Sequence, residues 1–154
     1  MSRNTSATLI RDARKDVGMT QAQVAVASGI HQPTLSAYES GRRHPNEQTL
    51  RRILAAARMR PSIPLALFAD RIVDLAGAHK LRNVRVFGST LTGDDTAESD
   101  IDLLVDTDPG ASLFDLAGFV DEVETLTGFS VDVMTTGQAR APHFAHILDQ
   151  AVPL

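Results

Sequence analysis

The segment Arg60-Pro61-Ser62-Ile63-Pro64 constrains this chain more than any other. A proline removes a backbone donor, clashes with the preceding helical turn and disfavours helical geometry in the residue before it. A pair this close together ends whatever helix leads into it. The sequence also changes in pattern and charge there. Residues 1–62 carry ten Lys/Arg and four Asp/Glu, a net +6, whereas residues 63–154 carry five and fifteen, a net −10. We therefore expect two domains, 1–62 and 63–154. A polyanion suits the basic half and cations suit the acidic half.

The chain has no cysteine, which excludes disulfides, thiolate metal sites and a thiol nucleophile and fits a reducing compartment. The stretch MSRNTSATLIRDARK holds no apolar signal core. The longest apolar run, 63–69, is too short to span a bilayer. The expectation is a soluble, cytoplasmic protein with no membrane association.

Helical spacing and end signals in the basic half predict helices over 6–17, 21–28, 31–40 and 46–58, with a fifth as a short extension around Met59. Thr20 and Asn46 are the candidate N-caps. Two short helices around a tight Gly29-Ile30 turn can lay the second in a DNA major groove. Val24, Ala25, Ile30 and Leu35 would lock the pair together. Gln32, Thr34 and Ser36 would then face the bases. Gln21, opening the second helix, can bring an N–H and an amide to a phosphate, and Arg42 and Arg43 can neutralise others.

The stretch GMTQAQVAVASGIHQPTLSAYESGRRHPNEQTLRRIL resembles the Cro/C1-type (XRE) helix-turn-helix family. The resemblance rests on Thr20-Gln21, Val24-Ala25, Gly29-Ile30, Leu35, Glu39, Gly41, Pro45 and Thr49-Leu50, and covers roughly residues 6–60. It implies a homodimer reading an inverted-repeat operator. Pro33, in the first turn of the groove helix, is tolerated there but removes one N–H contact.

The acidic half predicts a helix over 65–78, strands over 84–87, 99–106 and 129–134, a helix from Ser112 to about 126 with Asp115 completing a capping box, and a closing helix over 142–150. Ile101, Leu103 and Val105 alternate onto one strand face, which turns Asp100 and Asp102 together to the other. Paired carboxylates repel unless a cation sits between them, and oxygen-only ligands favour Mg²⁺. Asp132, on the polar face of the later strand, is a third ligand and the candidate general base or metal bridge. Gly88 and Ser89 follow a strand, where a glycine admits a phosphate close to the backbone and a serine hydroxyl adds a donor.

Gly88-Ser89 and Asp100-Ile101-Asp102 resemble the Gly-Ser-x10-Asp-x-Asp motif of the DNA polymerase beta nucleotidyltransferase superfamily, and the length of the half resembles its minimal members. The resemblance implies an α + α/β chain: a five-helix helix-turn-helix domain, then a small mixed-sheet nucleotidyltransferase domain with flanking helices. It further implies Mg²⁺, ATP as substrate, and the antitoxin role of proteins that transfer AMP to a tyrosine of a HEPN-type toxin. Many members carry an arginine shortly after the Gly-Ser, where this chain has Thr92. Arg85 is a replacement candidate by position. Asp94, Asp95 and Glu98 add negative charge to the same loop, and Asp106 and Asp108 read as a turn.

Two other functions stay open: a repressor and antitoxin with an inactive transferase domain that masks its partner, and a toxin that modifies tRNA. The acidic half argues against an RNA substrate. His143 and His146 read as a solvent-facing pair, and Tyr38 and Met134 as packing residues.

Overall fold

A computed structural model describes residues 3–154; the expected domain start at Met1 lies outside the described residues. The basic half folds into α1 (Arg3–Asp16), α2 (Gln21–Ser28), α3 (Gln32–Glu39) and α4 (Glu47–Ala56). Local chemistry sets the ends of α2. The Thr20 hydroxyl accepts the Gln23 N–H while the Gln23 side chain accepts the Thr20 N–H, and Gly29 closes the helix at φ 66°, a left-handed conformation that costs glycine nothing. Asn46 caps α4 by accepting the Thr49 N–H. Leu9, Ile10, Val24, Leu35 and Ile53 are fully buried where these helices meet, and Tyr38 packs against them as expected.

The proline segment folds differently from its reading as a break. No helix forms at Met59; Arg58 takes φ 49° and Met59 turns into the core. The fifth helix is instead α5 (Ser62–Leu67). Pro64 lies in its first turn, where the missing N–H would have had no intrahelical partner. The helix expected over 65–78 is two: α5 ends and α6 (Ala69–Ala78) begins at Phe68, at φ −107° and ψ 12°. The kink drives Phe68 into a continuous core that runs from Leu9 and Ile10 through Met59 and Leu65 to Ile72, Ile101 and Phe119.

The remainder alternates β1 (Leu81–Phe87), α7 (Ser89–Thr92), β2 (Ile101–Thr107), α8 (Leu113–Thr127), β3 (Val131–Thr135), α9 (Thr136–Ala139), α10 (Ala145–Gln150) and β4 (Val152–Pro153). The four strands form one mixed sheet in the order β3-β2-β1-β4. β2 runs parallel to β3, and β1 runs antiparallel to β2 and β4. β2 is covered on both faces. Ile101, Leu103 and Val105 enter the main core, while Leu104 joins Ala139 and Ile147 in a smaller one, against which Met134 packs. The capping box of Ser112 and Asp115 opens α8 as expected.

β1 starts three residues before its expected place because an irregularity between Arg82 and Arg85, with Asn83 at φ 50°, hides the strand pattern. Asp106 is not in a turn. It is the β2 residue paired with Arg82, and it accepts hydrogen bonds from Asn83 at 2.6 Å, from Arg85 at 2.9 Å and from Thr136. Those donors, Thr136 foremost and then Asn83, hold its carboxyl below the usual range against the opposing effect of burial. Asp108, past the strand, pairs with Arg82 at 2.7 Å. Among the described residues no helix is long and apolar enough to cross a membrane.

Candidate active site

The site forms at one end of the sheet, where β1 delivers Gly88 and β2 starts. Phe87 and Asp102 are register partners across the antiparallel pair, so the residue after Phe87 lies over the Asp102 carboxylate. Gly88 has φ 72° and ψ −155°, a region open essentially to glycine alone. A Cβ there would collide with the carboxylate, standing 3.0 Å from its carboxyl carbon. The glycine thus serves the acid directly beneath it. α7, which follows, is a single turn, so the helix expected after Gly88-Ser89 contributes backbone donors more than a macrodipole.

Asp102 and Asp132 are register partners across the parallel β2–β3 pair. Asp102 is half-buried and Asp132 exposed. Asp100 is exposed and lies one residue ahead of β2 rather than on it; pairing begins at Ile101, whose N–H donates to the Ser130 carbonyl at 2.9 Å. Burial, then repulsion from Asp132 and Asp100, raises the Asp102 carboxyl above its ordinary range. The three acids therefore share one electrostatic environment. Among the described residues, no three carboxylate or imidazole groups are gathered closely enough to enclose a metal ion as they stand. The donor set nonetheless suits a hard divalent cation: all donors are carboxylate oxygens, and a cation among them would relieve the repulsion that raises Asp102.

Two expectations about nearby charge need correction. Asp95 does not add free negative charge to the loop. It is buried, accepting from Arg60 at 3.0 Å and from the Ser62 N–H at 2.8 Å. Arg85 is not free for phosphate, because its guanidinium is bound to Asp106 and to the Thr136 hydroxyl, each at 2.9 Å. Sequence spacing could reveal neither partnership, since both join residues far apart in the chain. His143 and His146 are both exposed and only the second is on α10.

In the helical half, Gln32, Arg42 and Arg43 are exposed and Gln21, Thr34 and Ser36 partly so. Thr34, Arg42 and Arg43 border one shallow concavity with Pro33 and Ala37. Gln21 links the two helices through its side chain. Its amide N–H donates to Glu39 at 3.0 Å and its oxygen accepts from Gln32 at 3.1 Å. Glu39 is buried and bound by Arg14 at 2.6 and 3.0 Å. Burial pushes the Glu39 carboxyl up, but hydrogen bonds from Arg14 and Gln21 outweigh it and hold the group below its usual range.

A helix-turn-helix unit followed by a mixed sheet with a Gly-Ser turn over paired aspartates defines a nucleotidyltransferase joined to a helix-turn-helix domain. Residues 68–152 match the nucleotidyltransferase domain family, and residues 10–62 match the helix-turn-helix family. The chain belongs to the nucleotidyltransferase domain family and carries an XRE-type helix-turn-helix domain ahead of it. Two relatives from Methanocaldococcus jannaschii are named as candidate protein adenylyltransferases. One is 33% identical over 82 residues, covering 53% of this chain and 88% of the relative. The other is 27% identical over 78 residues, covering 49% and 78%. A solved structure described as a candidate minimal nucleotidyltransferase superposes with a TM-score of 0.54 at 32% identity, covering 58% of this chain and 92% of that one.

Proposed function

We propose that this protein is an antitoxin-like transcriptional regulator that binds operator DNA through residues 1–62 and, through residues 63–154, transfers AMP from ATP to a hydroxyl of a partner toxin of the HEPN type. The observation that carries the transferase reading is the stack of Gly88 on Asp102 with Asp132 alongside. The naming of both relatives as candidate protein adenylyltransferases supports a protein acceptor.

In this reading Asp100, Asp102 and Asp132 hold Mg²⁺, which when bound offsets the charge of the triphosphate and polarises the phosphorus under attack. Gly88 and Ser89 place the triphosphate through backbone and hydroxyl donors. A tyrosine oxygen of the partner forms the new bond to the α-phosphorus of ATP as the bond to the bridging oxygen breaks, and pyrophosphate leaves. Asp132, the most open of the two strand-borne acids, takes the tyrosine proton. The added AMP places a bulky anion on the partner, which repels an RNA substrate.

On DNA, a homodimer presents α3 to two half-sites of an inverted repeat. Gln32, Thr34 and Ser36 read base edges, while Arg42 and Arg43 bind phosphates.

The test is incubation of the co-expressed partner with labelled ATP and Mg²⁺, followed by mass spectrometry. AMP on a partner tyrosine, absent with Asp100→Asn, is the expected result. Thr92, standing where many family members carry an arginine, favours a second reading, in which the protein silences its partner by masking alone. Equal silencing by the wild type and Asp100→Asn would establish that reading instead.

A further inference from the structure

Asp95 sits in the loop that joins α7 to β2, five residues before Asp100. Its side chain is 0% exposed, and both carboxylate oxygens are used. One accepts from Arg60 Nη1 at 3.0 Å and the other from the N–H of Ser62, first residue of α5, at 2.8 Å. Arg60 Nη1 also donates to the Gly93 carbonyl at 3.2 Å. The other edge of the same guanidinium, Nε and Nη2, clamps Asp16 at the end of α1 at 2.8 and 2.9 Å. Asp16 foremost, with Asp95, raises the Arg60 pKa, and a guanidinium keeps its charge in any protein setting.

An aspartate withdrawn from water is strongly unfavourable without a charged partner, so Asp95 has one acceptable seat. A guanidinium donates from a rigid planar fork, so Arg60 Nη1, with the Ser62 N–H of α5, fixes that seat. The α7 end of the loop is thereby tied down twice, at Gly93 by its carbonyl and at Asp95 by its carboxylate. A turn in which the Ser99 N–H donates to the Thr96 carbonyl at 3.0 Å and the Thr96 N–H to Ser99 Oγ at 2.9 Å carries the chain from that anchor to Asp100. Asp100 is exposed and precedes the strand, so the sheet alone does not settle where its carboxylate stands.

We infer that Arg60 is a positioning residue for the metal-nucleotide site: through Asp95 and Gly93 it holds the loop so that Asp100 can join Asp102 around a cation. The inference rests on the reading of Asp100, Asp102 and Asp132 as the Mg²⁺–ATP site. Asp16 shares the guanidinium but lies outside the loop, which separates positioning from simple attachment of the two halves.

The experiment compares full-length wild type, Arg60→Lys, Arg60→Gln and Asp16→Ala. The lysine keeps the charge but cannot serve both edges. Hydrogen exchange reads the amides of residues 94–100, calorimetry reads ATP binding as Mg²⁺ is titrated, and thermal unfolding monitors the fold. We expect both Arg60 variants to exchange faster in the loop and to need more Mg²⁺ for half-maximal ATP binding, by up to about tenfold, the lower end of what removing a group bonded directly to a metal ligand costs. Asp16→Ala should match wild type in both while losing a few degrees of thermal stability. Two results would overturn the inference: loop exchange unchanged in both Arg60 variants, or Asp16→Ala shifting the Mg²⁺ requirement as far as they do. If wild type binds no ATP with Mg²⁺, the reading of the site fails on its own, and loop exchange still decides whether Arg60 holds the loop.

Discussion

Asp102 on β2 and Asp132 on β3 face each other in register across a parallel strand pair, and Asp102 holds its proton more tightly than an ordinary carboxylate. A folded-state pKa above the unfolded value means that the fold is favoured while Asp102 is protonated. That advantage is lost as pH rises from the ordinary carboxylate range through the raised value. Above that value the charged Asp102, half-buried and beside two other acids, is a standing cost to the fold. Asp102→Asn should therefore raise the melting temperature of the metal-free protein, by about 2–4 °C for each kcal/mol of desolvation and repulsion relieved, while abolishing nucleotidyl transfer. Scanning calorimetry at pH 7 against the pH 4 profile checks this; a lower melting temperature for the variant at both pH values would contradict it.

Gly88 is the backbone counterpart of that pair. A side chain there meets both a left-handed backbone and the Asp102 carboxylate. Gly88→Ala should cost about 1–3 kcal/mol from backbone strain, and more from displacing Asp102. Urea unfolding gives the stability, and transfer activity should fall along with it. Gly93→Ala, also at positive φ but with open space around the would-be Cβ, should bear the backbone cost alone.

In the helical half, Arg14 and Glu39 form a mostly buried ion pair, their side chains 15% and 5% exposed. Glu39→Ala leaves a mostly buried guanidinium unpaired and should cost about 3–5 kcal/mol, whereas replacing both residues with methionine should recover most of it. Glu39 has a depressed folded-state pKa. Its contribution is present above the ordinary carboxylate range and disappears as pH falls through the depressed value. Denaturation midpoints of the single and double variants at pH 7 and pH 3 test both statements.

What the sequence makes legible here is what local chemistry decides. The bounds of α2 follow from Thr20, Gln23 and Gly29 within ten residues of chain, and those of α8 from Ser112, Asp115 and Gly128. The alternation of Ile101, Leu103 and Val105 places Asp102 on the opposite face. Tertiary partners erase the rest. The bend at Phe68 has no glycine or proline to mark it; burial of the aromatic ring against the shared core holds it. Asp95 reads as loop charge until Arg60, 35 positions away, is brought beside it. Asp106 reads as a turn acid because its donors come from β1 and α9. A two-residue strand such as β4 is below the length at which alternation carries any signal.

Gln32 is pre-set for contact with a base. It is exposed on α3, yet its amide donates to Gln21, which is anchored by Glu39. An exposed glutamine whose amide nitrogen already donates one N–H to a neighbour is partly ordered before it meets DNA, with its second N–H and its oxygen left for a base, so less side-chain freedom is lost on binding. If it contacts a base with both amide atoms, Gln32→Ala should cost about 1–3 kcal/mol and relax preference at one position of each half-site. Gln21→Ala should weaken the same preference less, by freeing Gln32 rather than deleting it. Arg43→Ala should weaken all sequences alike and reduce the salt dependence by about one phosphate's worth. Fluorescence anisotropy with promoter and scrambled duplexes over a range of salt separates the three. Equal losses on both duplexes for Gln32→Ala would show that this residue binds the backbone and that α3 reads sequence through Thr34 or Ser36 instead.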